Sequence, residues 1–284
     1  MAGKILVFGE VLYDLFGEKA EIGGAPFNFA AHLASLGETV DFVSAVGGDE
    51  LGGSALEELK KKKVGTAYTA VLPRPTGFCR VTLKEGTPFY DLARDVAYDY
   101  IPAPCLEAKY EALCFGTLAQ RAAVSRDSLR TLLKGNYREV FCDINIRKPF
   151  YSDDIIEESI AGATILKLSR EEAPVLLACT DPEQCTAALL ARYPSLRQIV
   201  LTLDKDGAAV HDRGKGFFRS PKPAAKAVST VGAGDAFGAC YLHHLLKGDG
   251  IEEALAAATL LSDYVVTRLG AVPELPAELK ERII

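Results

Sequence analysis

Ile5-Leu6-Val7-Phe8-Gly9, then Phe27 to Leu36 with Gly37 behind it, then Val40 to Val46 with Gly47-Gly48 behind it: the order of these segments decides the fold. The first and last are short apolar runs closed by glycine, the pattern of strands buried on both faces of a parallel sheet. The middle one carries Ala30, Leu33, Ala34 and Leu36 along one side and stops at Gly37, which reads as a helix. Strand, helix, strand is the crossover unit of an α/β fold. The rhythm recurs, with strand candidates at Leu113 to Phe115, Glu139 to Asp143, Thr164 to Leu168 and Ile199 to Leu203. A helix pair rich in Ala and Leu, Ala236 to Leu246 and Ile251 to Arg268, is expected to pack on the sheet.

One section departs from this winding. From Gly77 to Leu83, Phe78, Arg80 and Thr82 alternate with Cys79, Val81 and Leu83, and a Glu85-Gly86 turn leads to a second extended run near Phe89. That is hairpin patterning. Pro73 and Pro75 precede it and Pro102 and Pro104 follow it, so residues 74–101 are expected to form a small β lid on a core of 1–73 and 102–284. A hairpin lid with an exposed apolar face often needs a partner to cover it, so the expectation includes a homodimer through the lid.

At 284 residues, 49% of them apolar and 25% charged, the chain suits one large globular domain with a sizeable core. A net charge of -6 and no basic block argue against nucleic acid, whose binding rests on clustered Lys and Arg. The Lys60 to Lys63 cluster instead closes a helix that begins near Glu50. Seven cysteines without a C-x-x-C pair read as buried free thiols. With no charged-then-apolar leader and no long uncharged span, the expectation is a cytoplasmic protein with no membrane partner. His32, His211, His243 and His244 lack the spacing of a metal site, and His243-His244 is expected on the surface of its helix.

The chemistry centres on Thr230-Val231-Gly232-Ala233-Gly234-Asp235-Ala236-Phe237, where a small-residue loop runs into an apolar helix. The first amides of a helix point outward unpaired at the positive dipole end, so such a loop can hold an anion. A carboxylate there can take a proton from an incoming hydroxyl while Gly232, Ala233 and Gly234 offer amides to the transferred group. Taken alone, the same residues also describe a turn with Asp235 as a helix cap.

Val231 to Phe237 resembles the C-terminal signature of the ribokinase-like PfkB sugar kinases. Gly23-Gly24-Ala25-Pro26-Phe27-Asn28-Phe29-Ala30, followed by Val46-Gly47-Gly48-Asp49-Glu50-Leu51-Gly52, resembles their N-terminal one. Two signatures in the right order, with a strand-like excursion where the family carries its lid, extend the resemblance over nearly the whole chain. It implies a three-layer α/β/α sandwich with a mostly parallel sheet and a small β-sheet lid, and an enzyme that takes a sugar, ATP and Mg²⁺. Gly9-Glu10-Val11-Leu12-Tyr13-Asp14, Phe115 to Arg121, Asp143-Ile144-Asn145-Ile146-Arg147 and Val266 to Pro273 are similar to bacterial fructokinases, which makes fructose the first choice of substrate. Ribose, a keto-acid sugar or a nucleoside is the alternative, and a non-catalytic sugar-binding protein a second one.

By position the resemblance gives Asp14 and Asn28 hydrogen bonds to sugar hydroxyls and gives Gly24 a close approach of sugar to backbone. Read without it, Asp14 is equally a turn residue and Asn28 a helix cap. Arg147 is placed to meet the sugar or the moving phosphate, or to sit in a surface ion pair. Phe89 and Tyr90 would cover the sugar or pack within their hairpin. Thr202 and Gly207 match the nucleotide element, although a plain β-turn fits them too. Glu172 would organise the Mg²⁺ shell, with Ser169 standing where the family has Asn. Thr259 stands near the adenine position or is a helix-interior threonine. Ser229 replaces an Asp that many relatives associate with a monovalent cation, so K⁺ activation stays open.

Overall fold

Side-chain alternation in the first strand sets up the layers. The computed structural model describes residues 3–17, 19–84, 87–177, 179 and 181–284, and the side chains of residues 81–90 lie outside that description. In β1 (Lys4–Phe8), Ile5 and Val7 point into one apolar cluster while Leu6 and Phe8 point into another. Successive strand residues face opposite sides, so β1 is the middle of a sandwich.

After β1 the chain forms β2 (Leu12–Phe16) and β3 (Lys19–Gly23), then α1 (Ala25–Ser35), β4 (Thr39–Gly47), α2 (Glu50–Lys61) and β5 (Thr69–Leu72). The pair β6 (Gly77–Lys84) and β7 (Thr87–Leu92) comes next, followed by β8 (Tyr110–Phe115), α3 (Ala123–Leu132), β9 (Glu139–Asp143), α4 (Asp153–Ala161) and β10 (Ile165–Ser169). The last part holds α5 (Ala173–Leu176), α6 (Pro182–Arg192), β11 (Gln198–Thr202), β12 (Ala208–Asp212), β13 (Gly216–Arg219), α7 (Ala233–Lys247), α8 (Ile251–Val266) and α9 (Ala277–Ile283).

The main sheet has nine strands in the order β13-β12-β11-β10-β9-β8-β1-β4-β5. From β11 to β5 all neighbours are parallel, and β12 and β13 add an antiparallel edge. Helices α1, α2, α7, α8 and α9 bury residues on one face, among them Phe27, Leu59, Tyr241, Leu261 and Ile283. Helices α3, α4 and α6 cover the other with Leu129, Ile160 and Leu189. Local chemistry marks the helix ends. Asp49 caps α2 by accepting from Gly52 N–H at 2.8 Å, and Gly248, at φ 89°, ends α7 in the left-handed conformation that glycine adopts without strain.

A separate four-stranded sheet has the order β3-β2-β6-β7. Half of it, β2 and β3, comes from residues 12–23, outside the 74–101 segment expected to make the lid. The reason is pairing: β2 runs parallel to β6 with Asp14 opposite Cys79, so the hairpin of 77–92 is completed by one that directly follows β1. Residues 97–100 form a 3₁₀ turn whose Ala97 and Tyr98 are fully buried in the core.

Two expectations are corrected. Cys179 and Cys185 form a disulfide across the start of α6 and Cys105 is exposed, so buried free thiols describe only Cys79, Cys114, Cys142 and Cys240. His243 and His244 are both buried, because α7 is covered on more than one side. Each ring Nδ1 meets a carboxylate, Glu38 at 2.6 Å and Asp249 at 2.7 Å.

Candidate active site

The carboxyl ends of the parallel strands open into a cleft of about 1870 Å³. That exceeds the roughly 300–1,000 Å³ of an ordinary single-ligand pocket and leaves room for two ligands side by side. Asp14, Gly24, Asn28, Arg147 and Asp235 line it, and the same cleft continues past Ser169, Thr202, Gly207 and Thr259. Ligands in open α/β sheets sit at this edge.

Asp235 stands in the first turn of α7, half-buried. Asn28 Nδ2 donates to its Oδ2 at 2.8 Å, which joins the two signature stretches across 207 positions of sequence. Burial, reinforced by the nearby Asp143 carboxylate, raises the Asp235 pKa to about 6, against the opposing pull of Lys167, the Asn28 hydrogen bond and Arg147. The other Asn28 side-chain atom, Oδ1, is buried and has no partner among the described residues.

Gly232 precedes α7 at φ 80°, a left-handed conformation that suits glycine. A Cβ there would lie 2.5 Å from Ala271 O. The amide of Ala233 makes only a long 3.3 Å bond to Thr230 O, and those of Gly234 and Asp235 have no backbone partner among the described residues. Free amides at a helix start are what an anion site requires.

Lys167 supplies a cation that the motif reading missed. It projects from β10, is 5% exposed, and donates from Nζ to Asp143 Oδ2 at 2.7 Å. A Cβ built on Gly234 would come within 3.4 Å of that Nζ, so the ammonium lies beside the loop. Its signal was present in the sequence: a lone lysine within Ile165-Leu166-Lys167-Leu168 must find a partner if the strand is buried.

Glu10 was missed as well. It follows β1 directly, lines the cleft at 2% exposure, and its Oε2 has no partner among the described residues. Burial pushes its pKa up to about 7. A carboxyl raised in the folded state costs stability once pH exceeds its unfolded value, and the cost is complete above its folded value. Glu10→Gln is therefore expected to stabilise the protein by on the order of 3 kcal/mol above pH ~7 and by nothing below pH ~4.5. Urea denaturation at the two extremes checks this, and an equal effect at both would refute it.

Asp14 lies on β2, half-buried, its pKa raised by burial and by Glu21. Gly24 has φ 107°, and a Cβ would fall 2.6 Å from Glu10 O, so only glycine fits without movement. Arg147 is exposed at the cleft wall after β9. Phe89 and Tyr90 belong to β7, with side chains outside the described residues. Thr202 ends β11 and Gly207 follows a 3₁₀ turn at φ 90°, so both also serve the β11–β12 hairpin. Thr259 donates its hydroxyl to Leu255 O at 2.8 Å within α8. Glu172 is already engaged: Oε1 accepts from Ile146 N–H at 2.6 Å, and Oε2 accepts from Ser169 N–H and Oγ–H at 2.8 and 2.9 Å. Among the described residues no three His, Cys, Asp or Glu side chains gather as a metal site, and no helix is long and apolar enough to cross a membrane.

With this geometry in place, the family model described as pfkB family carbohydrate kinase matches residues 3–278. The chain belongs to the PfkB family of carbohydrate kinases. It is thus a phosphotransferase of the sugar kinase class. This PfkB protein is 30% identical to a fructokinase of Klebsiella pneumoniae over 97% of each chain. It is 27% identical to a ribokinase of Bacillus subtilis, covering 89% of this chain and 84% of that one. The crystal structure of a Vibrio cholerae O395 fructokinase, in fructose-, ADP- and calcium-bound form, superposes with a TM-score of 0.83 at 22% identity over 100% and 99% of the two chains. The ribokinase-like fold of the PfkB protein follows from that likeness.

Proposed function

We propose that this kinase transfers the γ-phosphoryl group of ATP to a hydroxyl of fructose, with Asp235 as the base. The observation that carries the reading is Asp235 itself: a carboxylate with a pKa raised toward neutrality, held by Asn28 at 2.8 Å, beside free helix-start amides and the Lys167 ammonium. In the step, the sugar oxygen bonds to the γ-phosphorus, the bond from that phosphorus to the β–γ bridging oxygen breaks, and the hydroxyl proton passes to Asp235. The loop of Gly232, Ala233 and Gly234, with Lys167, stabilises charge on the moving group.

Asp14, Asn28 and Gly24 receive the sugar. The unpartnered Asn28 Oδ1 is an acceptor open to one of its hydroxyls, Arg147 closes the cleft wall, and Phe89 is assigned to cover the sugar. Ser169, Thr202, Gly207 and Thr259 form the nucleotide side of the reading. Mg²⁺, bound with ATP, would neutralise the β- and γ-phosphates. Glu172 retains lone pairs that can accept from a metal-bound water, which fits a metal held chiefly by phosphate and solvent. An ATP-consuming reaction corresponds to a cytoplasmic setting.

Fructose is favoured by the fructokinase-like motifs from Phe115 to Arg121 and Asp143 to Arg147, together with the identity to the Klebsiella enzyme. The likeness to ribokinase supports ribose as the second reading. A coupled ADP-release assay with fructose, ribose, 2-keto-3-deoxygluconate and adenosine, with and without K⁺, is expected to give the highest kcat/KM on fructose. Preference for another acceptor would overturn the substrate, and no ADP with any of them would overturn the kinase reading.

A further inference from the structure

Helix α1 carries Asn28 and His32 four residues apart and therefore on one face. Asn28 reaches Asp235 at the start of α7, and His32 reaches Ala271, in the segment after α8 that packs against Gly232. The His32 ring is fully buried, and Nε2 lies 2.9 Å from the carbonyl oxygen of Ala271. A carbonyl only accepts, so the ring proton belongs on Nε2. Burial drives the His32 pKa down to about 4, which keeps the imidazole neutral and leaves Nε2–H as its one donor.

Ala271 packs directly on the start of α7: a Cβ on Gly232 would fall 2.5 Å from its carbonyl oxygen and 2.6 Å from its Cα. The next carbonyl, that of Val272, accepts from Lys62 Nζ at 2.9 Å, just beyond α2. Residues 270–272 follow α8 and belong to neither helix nor strand, and Gly270 turns there at φ 83°. No regular backbone ladder fixes them, so two side-chain donors from the opposite half of the chain do.

We propose that His32 and Lys62 are positioning residues that hold Gly270–Val272 as the wall behind Gly232, so that α1 aligns the base through Asn28 and the anion loop through His32. The proposal rests on the reading of Gly232 to Asp235 as the phosphate loop. Displacing such a loop by an ångström leaves binding of the sugar intact and misplaces the group in flight.

The test compares His32→Leu, which fills the volume without a donor, with His32→Gln, whose amide nitrogen reaches about as far as Nε2. For His32→Leu, kcat on fructose is expected to fall about 10- to 100-fold while the fructose KM moves less than about 3-fold. His32→Gln is expected to recover most of that loss, and Lys62→Met to show a smaller drop of the same kind. Amide hydrogen exchange gives a readout independent of turnover: residues 270–272 and 232–235 should exchange faster in His32→Leu than in His32→Gln, at a temperature where both are folded. Equal exchange in the two variants, or no advantage of Gln over Leu in kcat, would overturn the proposal. If the unmodified protein phosphorylates none of the acceptors offered, the proposed function fails, and the exchange comparison still decides the role of His32.

Discussion

Replacing Asp235 by Asn should cut kcat by about 10²- to 10⁴-fold, the usual contribution of a positioned general base. The amide is nearly isosteric, and its oxygen can still accept from Asn28 Nδ2, so the side chain stays where the carboxylate was. Only the capacity to take a proton is lost. Sugar binding by calorimetry is accordingly expected to change little, and turnover above about one tenth of the original would remove Asp235 from the role of base. The pH dependence follows from the same environment. With its pKa raised to about 6, Asp235 is ionised above that value and protonated below it, so kcat/KM should be flat above pH ~6 and fall tenfold per pH unit beneath it. Fields from Lys167 and Arg147 pull that limb toward lower pH, and Asp143 pushes it up.

Lys167→Met is the second large effect, and it divides between stability and chemistry. Asp143 is 8% exposed and Lys167 5%, so the substitution strands a carboxylate away from water. Removing one member of a buried pair typically costs about 3–5 kcal/mol, whereas replacing both by apolar groups is often near neutral. Urea denaturation should show that loss for Lys167→Met and its recovery in the double variant Lys167→Met with Asp143→Leu. Turnover should not recover, because the ammonium beside Gly234 is absent from both. A single variant within about 1 kcal/mol of the parent would show that the pair is not desolvated as described.

The layered core was legible because Ile5 to Phe8, Phe27 to Leu36 and Val40 to Val46 obey strong local rules: uninterrupted apolar strands and a helix stopped by glycine. The β2–β3 hairpin was not. Lys19, Ala20 and Glu21 are exposed along β3 and show no apolar alternation, and β3 is held by its pairing with β2. Among site residues, the two glycine-rich signatures marked Asp235 and Asn28, but their 2.8 Å bond is a product of tertiary packing. Glu10 and Lys167 stood in view as charges beside apolar strands. What remained hidden was the surroundings of each: Asp143 beside Lys167, and for Glu10 a buried Oε2 with no partner among the described residues. His243 and His244 were misplaced for a related reason: helical phase tells which residues share a face, and it does not tell how many faces are covered.

The small sheet takes its strands from two stretches of chain, 12–23 and 77–92, on either side of α1, β4, α2 and β5. A single excision therefore cannot produce a lidless protein. Cutting out 77–92 alone would strip β2 of its parallel partner and leave an unpaired strand edge, the geometry that recruits other chains. Grafting the cap onto another scaffold likewise requires two insertion points whose separation matches the gap between the end of β1 and the end of β5. The cap and its base have to be inherited, or transplanted, as one piece.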